Sequence, residues 1–290
     1  MNSTKRRFPA LLSAILRRLA LAAVTVAGAA LLSAALARFA PGAGMDERSM
    51  DLRLSEQSIA ALEAHDAPGL GAYLVGLAHG DWGTSISLGR PVRDLVAERA
   101  GLTGRTLAAG LALAWIVACA LAAALQLAGR RGLDAAAALF TGVFLCLPAA
   151  AMAILFLHLG GGPAAALAAV LAPRLFRYVR RILAAAAARP FVLAARARGV
   201  GPFALVWRHM CVPAAPELLA LAGVSAAMAV GAVIPVEALL DSPGAGQLVW
   251  ESAMARDVPV LISLTAVVAL VTCAANLLSD IARTVAVREV

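Results

Sequence analysis

Long stretches without charge dominate the chain: Leu19–Leu36, Leu107–Ala128, Ala135–Leu159, Leu218–Ala238 and Val258–Ser279. The fourth carries one acidic residue, Glu237, at its far end. A helix rises about 1.5 Å per residue and needs about 20 apolar residues to cross a hydrocarbon core. Each stretch is therefore predicted to be a membrane-spanning helix. None alternates polar and apolar positions as barrel strands do. Pro148 predicts a kink within the third. The first follows Lys5, Arg6, Arg7, Arg17 and Arg18 and exceeds the 7–15 apolar residues of a signal peptide. Phe39-Ala40-Pro41-Gly42-Ala43-Gly44 reads as a helix stop, so this span is expected to be retained.

Gly160–Ala172 is uncharged for only 13 residues and is followed by Pro173 and Arg174. That is short of a span. Its neighbours decide the matter: Arg174, Arg177, Arg180, Arg181, Arg189, Arg196, Arg198 and Arg208 come next, with Glu217 their only acidic company. A helix over 160–183 places all eight arginines on the side of the other basic loops. Arginine near a helix end snorkels to the headgroups, so the helix is predicted to run past Arg174.

The organisation that results has a cytoplasmic basic segment over 1–18 and spans over 19–38, 107–128, 135–159, 160–183, 218–238 and 258–279. External loops cover 39–106 and 239–257, a cytoplasmic loop covers 184–217, and a cytoplasmic tail covers 280–290. Composition agrees. The chain is 62% hydrophobic and 14% charged, too apolar for a water-covered globule or a disordered chain. Of its 25 Lys and Arg, 17 fall on the cytoplasmic side with four acidic residues. The net charge of +8 thus follows the positive-inside rule and does not point to nucleic acid. The fold class is an all-α integral membrane protein of six transmembrane helices. Cys119, Cys146, Cys211 and Cys273 share no C-x-x-C spacing and read as small apolar fillers, so no metal site is expected. Trp115, Trp207 and Trp250 lie near span boundaries or loops and suit interfacial anchors.

The sequence holds no G-x-x-x-x-G-K-[ST] phosphate loop, no H-E-x-x-H and no G-x-S-x-G. No catalytic residue and no cofactor site is expected in this chain. The spans lack the mid-membrane carboxylates of a proton-coupled pump. Energy therefore comes from elsewhere, or the protein only lines a path. In the first external loop, Ser55–Ala64 is helix-like. In the last, Asp241-Ser242-Pro243-Gly244-Ala245-Gly246 signals a turn. In the cytoplasmic loop an Ala- and Arg-rich stretch precedes Gly199, Gly201 and Pro202 and reads as a short helix ended by glycine.

Several blocks carry a resemblance. Phe39-Ala40-Pro41-Gly42, Gly80-Asp81-Trp82-Gly83-Thr84-Ser85 with Pro91-Val92 and Arg99, Ala194-Ala195-Arg196-Ala197-Arg198-Gly199 with Arg208-His209, and Val236-Glu237 to Asp280 occur in order on the expected sides. Within the last block stand Pro243, Gly244, Gly246, Arg256, Asp257, Pro259, Asn276 and Leu277. Together they resemble the permease subunit of bacterial ABC importers, in the dipeptide, oligopeptide and nickel branch, over about Arg17 to Asp280. The pattern departs at Ala43, at the short Gly160–Pro163 link and at Pro213, where the family commonly has Asp, a longer link and Asn.

The resemblance implies a type I importer permease in the inner membrane, carrying peptides or a related small solute. It implies a second homologous permease subunit in a heterodimer, two ATPase subunits that bind ATP and Mg, and an extracytoplasmic substrate-binding protein. It also implies an ATPase-coupling role for Ala194, Ala195, Arg196, Ala197, Arg198, Gly199, Arg208 and His209. On the residues alone, those arginines equally well serve topology. Gly80, Asp81, Trp82, Gly83, Ser85, Glu237, Pro243, Gly244, Gly246, Arg256 and Asp257 are placed at the external gate or binding-protein contact. Their alternative is loop architecture and solvated interface charge. The competing function is an ATPase-independent membrane channel or assembly protein.

Overall fold

The computed structural model describes residues 20–33, 35–36, 76 and 80–289. The basic segment 1–18, the Phe39–Gly42 block and the helix-like Ser55–Ala64 lie outside the described residues. Among the described residues the chain is almost wholly helical, and extended backbone pairs only at the bridge between Thr84 and Pro91. In chain order the helices are α1 (Ala20–Ser33), α2 (Val92–Ala128), α3 (Arg131–Cys146), α4 (Ala149–His158), α5 (Pro163–Ala187), α6 (Pro190–Ala197), α7 (Ala215–Leu239), α8 (Ala245–Met254) and α9 (Val258–Glu289). Between α6 and α7, a short turn at Pro202–Ala204 leads into a π-helical segment, Leu205–Cys211.

Helices α2, α7 and α9 are each long and apolar enough to cross a membrane, and the bent pair α3–α4 makes a fourth span if taken together. Helix α1 is apolar but shorter. Helix α5 has 25 residues, about 37 Å, and is long enough by length alone. Its second half carries Arg174, Arg177, Arg180 and Arg181, so it is less apolar than the other long helices.

Most helix ends fall within four residues of the expected ones; two lie much further out, and the expected kink is a sharp break. Helix α2 starts at Val92 rather than 107, because Val92, Leu95 and Val96 form a buried face while Arg93, Asp94 and Glu98 stay exposed. That face extends the helix beyond its apolar run. Helix α9 continues to Glu289, ten residues past the expected end. At Pro148 the expected kink is a break of 96°. Proline offers no N–H and holds the preceding residue out of the helical region; Leu147 sits extended at φ −81°, ψ 126°.

The chain divides into two compact units, Met1–Glu98 with Val249–Val271, and Arg99–Leu248 with Thr272–Val290. In the first, Ala30 of α1 packs with Ile262 and Ala266 of α9. In the second, α5 runs through the core. Ala166, Leu167, Ala168, Val170 and Leu171 are buried, Ala165, Ala169 and Ala172 on the remaining side are half-buried, and no residue from Pro163 to Phe176 is exposed. A helix enclosed by protein needs no full-length apolar surface, which explains how a 13-residue uncharged run serves here. Small residues at Gly110, Ala114, Ala118 and Ala122 form one stripe of α2, and the three alanines are fully buried in the same core. Such stripes let helix backbones come close. The Trp115 indole N–H donates to Ser225 Oγ of α7 at 3.1 Å, so this tryptophan is a strut inside the bundle rather than an interfacial anchor. Trp207 and Trp250 are exposed.

A Cβ at Gly110 would stand 2.9 Å from Leu167 Cδ2 and 3.0 Å from the Ala164 carbonyl of α5. At Gly104, six residues earlier on α2, it would meet nothing within 4 Å. Gly110→Ala is expected to destabilise by about 1–3 kcal/mol through overpacking, and Gly104→Ala to stabilise by up to about 1 kcal/mol through helix propensity. Thermal unfolding midpoints in detergent should move in opposite directions.

Candidate functional site

Glu237 lies in the last turn of α7 and is completely buried (0% exposed). Its Oε2 accepts hydrogen bonds from Thr103 Oγ1 of α2 at 2.9 Å and from the Gly246 N–H of α8 at 2.8 Å. Thr103 Oγ1 in turn accepts from the Ala245 N–H at 2.7 Å. The first turn of α8 thus offers its unpaired N–H groups to a carboxylate and to the hydroxyl bound to it, an arrangement also favoured by the helix dipole. Helices α2, α7 and α8 are joined at one carboxyl group. The approach is so close that a Cβ at Gly244 would collide with the Glu237 carboxyl. A Cβ at Gly246 would come within 2.9 Å of Glu237 Oε2 and of the Ile234 Cα. Pro243, beside them, is exposed. Glu237 Oε1 has no hydrogen-bond partner among the described residues.

Helix α7 ends with Asp241 in the left-handed region at φ 51°, and the Ser242 N–H returns to the Glu237 carbonyl at 2.9 Å. Gln247 Nε2 then donates to Asp241 Oδ1 at 2.7 Å, and Arg99 Nη1 donates to Gln247 Oε1 at 3.2 Å.

A second buried carboxylate organises the other unit. Asp257, also 0% exposed, directly precedes α9. Its Oδ2 accepts from Ser85 Oγ at 2.5 Å, from the Ser87 N–H at 3.0 Å and from Ser87 Oγ at 2.7 Å. The Ser85 hydroxyl also accepts from the Leu88 N–H at 3.0 Å. The segment Gly80–Pro91 is thereby clamped to the start of the last helix. Asp81 Oδ1 accepts from the Gly83 N–H at 3.0 Å, which closes the turn of the G-D-x-G block. Asp81 and Gly80 are exposed, and Trp82 and Gly83 are half-buried. Arg256 is exposed with φ 54°, and its turn returns the Asp257 N–H to the Ser252 carbonyl at 2.8 Å.

The expected gate residues therefore separate into two clusters, Gly80–Ser85 with Arg256 and Asp257, and Glu237 with Pro243, Gly244 and Gly246. Both central carboxylates are buried and hydrogen-bonded, so the alternative of solvated interface charge fails for Glu237 and Asp257. Thr103, Ser87 and Gln247 were not singled out by sequence. Ser87 lies in the turn over 86–88, closed by the Gly89 N–H to the Ser85 carbonyl at 2.9 Å, and its residue type did not announce the contact. Thr103 had no signal beyond its place in α2.

The Arg-rich loop forms α6 and the π-helical segment. On α6, Val192 and Ala195 are buried, and both belong to the core that holds Leu175, Val179 and Leu183 of α5. Ala194, Arg196, Ala197 and Arg198 face outward. Ala195 thus packs on its own protein rather than lying on the outward surface. Gly199, at φ 77°, ends the helix: its N–H returns to the Arg196 carbonyl at 3.0 Å and the Val200 N–H to the Ala195 carbonyl at 3.2 Å. An L-residue resists that conformation. Arg208 is exposed and His209 half-buried on the π-helical segment. Burial pushes the Cys211 thiol above its ordinary value, which suits an inert packing residue. Beside the loop, Arg180 holds Asp134 with two bonds of 2.9 and 2.8 Å and Gln126 Oε1 with a third of 2.5 Å. Arg189 pairs with Glu217 at 3.4 Å.

The family described as binding-protein-dependent transport system inner membrane component matches residues 110–290. A Brucella suis biovar 1 protein whose name is that of a peptide permease is 27% identical over 240 residues, covering 73% of this chain and 75% of that protein. The oligopeptide transport system permease protein OppB of Salmonella typhimurium is 29% identical over 218 residues, covering 68% and 71%. The oligopeptide transport system permease protein AppB of Bacillus subtilis is 29% identical over 119 residues, covering 41% and 38%. The chain belongs to the family of inner membrane components of binding-protein-dependent transport systems. It is a multi-pass membrane protein and a permease subunit of an importer.

Thr103→Val removes the hydroxyl from one buried and one half-buried hydrogen bond and leaves the Ala245 N–H without its partner. A loss of about 1–3 kcal/mol is expected, read as a lower unfolding midpoint, and Thr103→Ser should restore it. Asp257→Ala removes the acceptor shared by Ser85 and Ser87. Amide hydrogen exchange over 85–89 should accelerate about tenfold or more, the equivalent of about 1.4 kcal/mol, while exchange in α5 stays unchanged.

Proposed function

We propose that this permease subunit forms half of the path by which peptides, delivered by an extracytoplasmic binding protein, enter the cell at the expense of ATP hydrolysed on separate subunits. The peptide cargo is supported by the names of the relatives. The partners follow the logic of such systems: a second, homologous permease, two ATPase subunits with ATP and Mg, and the binding protein. Both termini lie in the cytoplasm, as the distribution of Lys and Arg favours. The buried clasps at Glu237 and Asp257 then stand at the external side. There they shape the surfaces around the binding-protein contact rather than offering charge to it.

The observation that carries the coupling role is the two-sided character of α6. One face, Val192 and Ala195, is embedded in the core of α5. The other presents Ala194, Arg196, Ala197 and Arg198. A short helix held in this way is a handle. Small side chains admit the wall of a groove on an ATPase subunit, and the arginines pair with acidic groups at its rim. When the ATPase pair closes on ATP, force on α6 reaches α5 through packed side chains, and the helices move as a body between inward- and outward-open states. This chain performs no covalent step.

Gly199→Glu is the test. Glutamate brings bulk and negative charge beside Arg196 and Arg198, and left-handed strain of about 1–2 kcal/mol. In the reconstituted importer, import should fall about tenfold or more, with loss of ATPase stimulation by the loaded binding protein. Gly199→Ala carries the strain without the charge and should lose less. Normal import with normal stimulation in Gly199→Glu would refute the docking role.

A further inference from the structure

Helix α5 changes character along its length. Its first half is enclosed by protein. In its second half Leu175, Phe176, Val179, Leu183 and Ala186 remain buried on one face. The other face carries half-buried Arg174 and exposed Arg177, Tyr178 and Arg181. Their spacing of three, four and seven residues aligns them on a single stripe, about 10 Å long from Arg174 to Arg181.

The open faces of the other long apolar elements are of another kind. Helix α2 exposes Ile116 and Val117, α3 exposes Leu139 and Phe140, α4 exposes Ile154 and Leu157, and α9 exposes Leu270 and Leu278. Those surfaces suit hydrocarbon. On α5 the one large exposed side chain of that class is Tyr178, among the described residues. The ion pair of Arg180 with Asp134, near the start of α3, gives the stripe a level in the bundle. Arg174 lies six residues, or about 9 Å, deeper along the axis. A guanidinium at that depth needs water or an anion around it. Among the described residues no such anion is supplied: Asp134 is taken by Arg180 and Glu217 by Arg189, and Arg174, Arg177 and Arg181 form no ion pair.

We propose that the Arg174–Arg177–Tyr178–Arg181 face of α5 lines the aqueous translocation path and recognises a carboxylate of the peptide in transit. The inference rests on the permease reading above. Guanidinium forks match carboxylates in two-point geometry. Three in a row let the anion pass from one to the next without a single deep trap, which transport requires. The Tyr178 hydroxyl adds a donor and its ring an apolar surface for the cargo's side chains.

Two measurements on the complete reconstituted importer test it. In a background lacking the four native cysteines, nitroxide labels are placed at Tyr178→Cys and, for comparison, at Phe140→Cys. The Tyr178 label should relax mainly by collision with a water-soluble nickel chelate, and the Phe140 label with oxygen dissolved in lipid. Oxygen dominance at 178 would mean lipid contact, and protection from both would mean a protein contact; either overturns the proposal. In the second measurement, import of a tripeptide with a free C-terminal carboxylate is compared with import of its C-terminal amide. The double variant R177Q/R181Q should shrink the acid-to-amide rate ratio about fivefold relative to the unmodified chain, with amide import continuing. The binding protein is common to both, so its own preference cancels. An unchanged ratio overturns the proposal. Failure of the unmodified assembly to import either peptide would instead count against the permease reading, and the label comparison would still judge this one.

Discussion

A carboxyl group without water must be supplied with hydrogen-bond donors by the protein itself, and Glu237 imposes that demand on three helices. Helix α2 answers with a threonine hydroxyl, and α8 answers with the backbone at its first turn. Because the donors come from separate elements, the end of α7, the turn after it and the start of α8 are held together through one oxygen of that group. Gly244 and Gly246 follow from the same demand, since side chains there would occupy the space of the carboxylate. Asp257 repeats the device, gathering Ser85 and Ser87 at the start of α9. Acidic residues at membrane borders are commonly read as surface charge. Here two of them are internal fastenings.

The spans were legible because hydrocarbon imposes a simple code of length and charge, and the deviations have equally simple causes. Helix α2 starts early because an amphipathic face takes over where its apolar run stops. Helix α5 was legible as a span only through its arginines, since its short apolar run makes sense once protein rather than lipid surrounds it. Helix stops show the boundary of what a sequence reveals. Gly199 announces a left-handed turn, and the turn is there at φ 77°. Asp241, at φ 51°, is of a type that tolerates the same conformation and opens a turn block. Arg256 ends its helix at φ 54°, and nothing in its residue type declares it. The Asp257 carboxylate, bonded to Ser85 and Ser87, holds the chain just after it. The clasps themselves were only half visible. The carboxylates stood out as acidic residues beside apolar runs, whereas Thr103, 134 positions away from its partner, could be found only in three dimensions.

Function in this molecule is distributed between rigid and open surfaces. The face of α6 that grips its own core and the face that points outward are built from neighbouring residues of one eight-residue helix. Helix α5 does likewise over a greater length. A permease subunit depends on such two-faced helices. In the proposed cycle one side transmits force, while the other meets whatever crosses or drives the assembly.

The break at Pro148 carries a consequence of its own. Helix α3 has 16 residues, a reach of about 24 Å, against a hydrocarbon thickness of about 30 Å. The chain then turns through 96° into α4. With α3 upright in the bilayer, α4 would lie along it, and α3 alone would fall about 6 Å short of the hydrocarbon thickness. Lipid beside it would then thin to meet the shorter span. Acyl-chain length would in that arrangement become a variable to which this subunit responds mechanically.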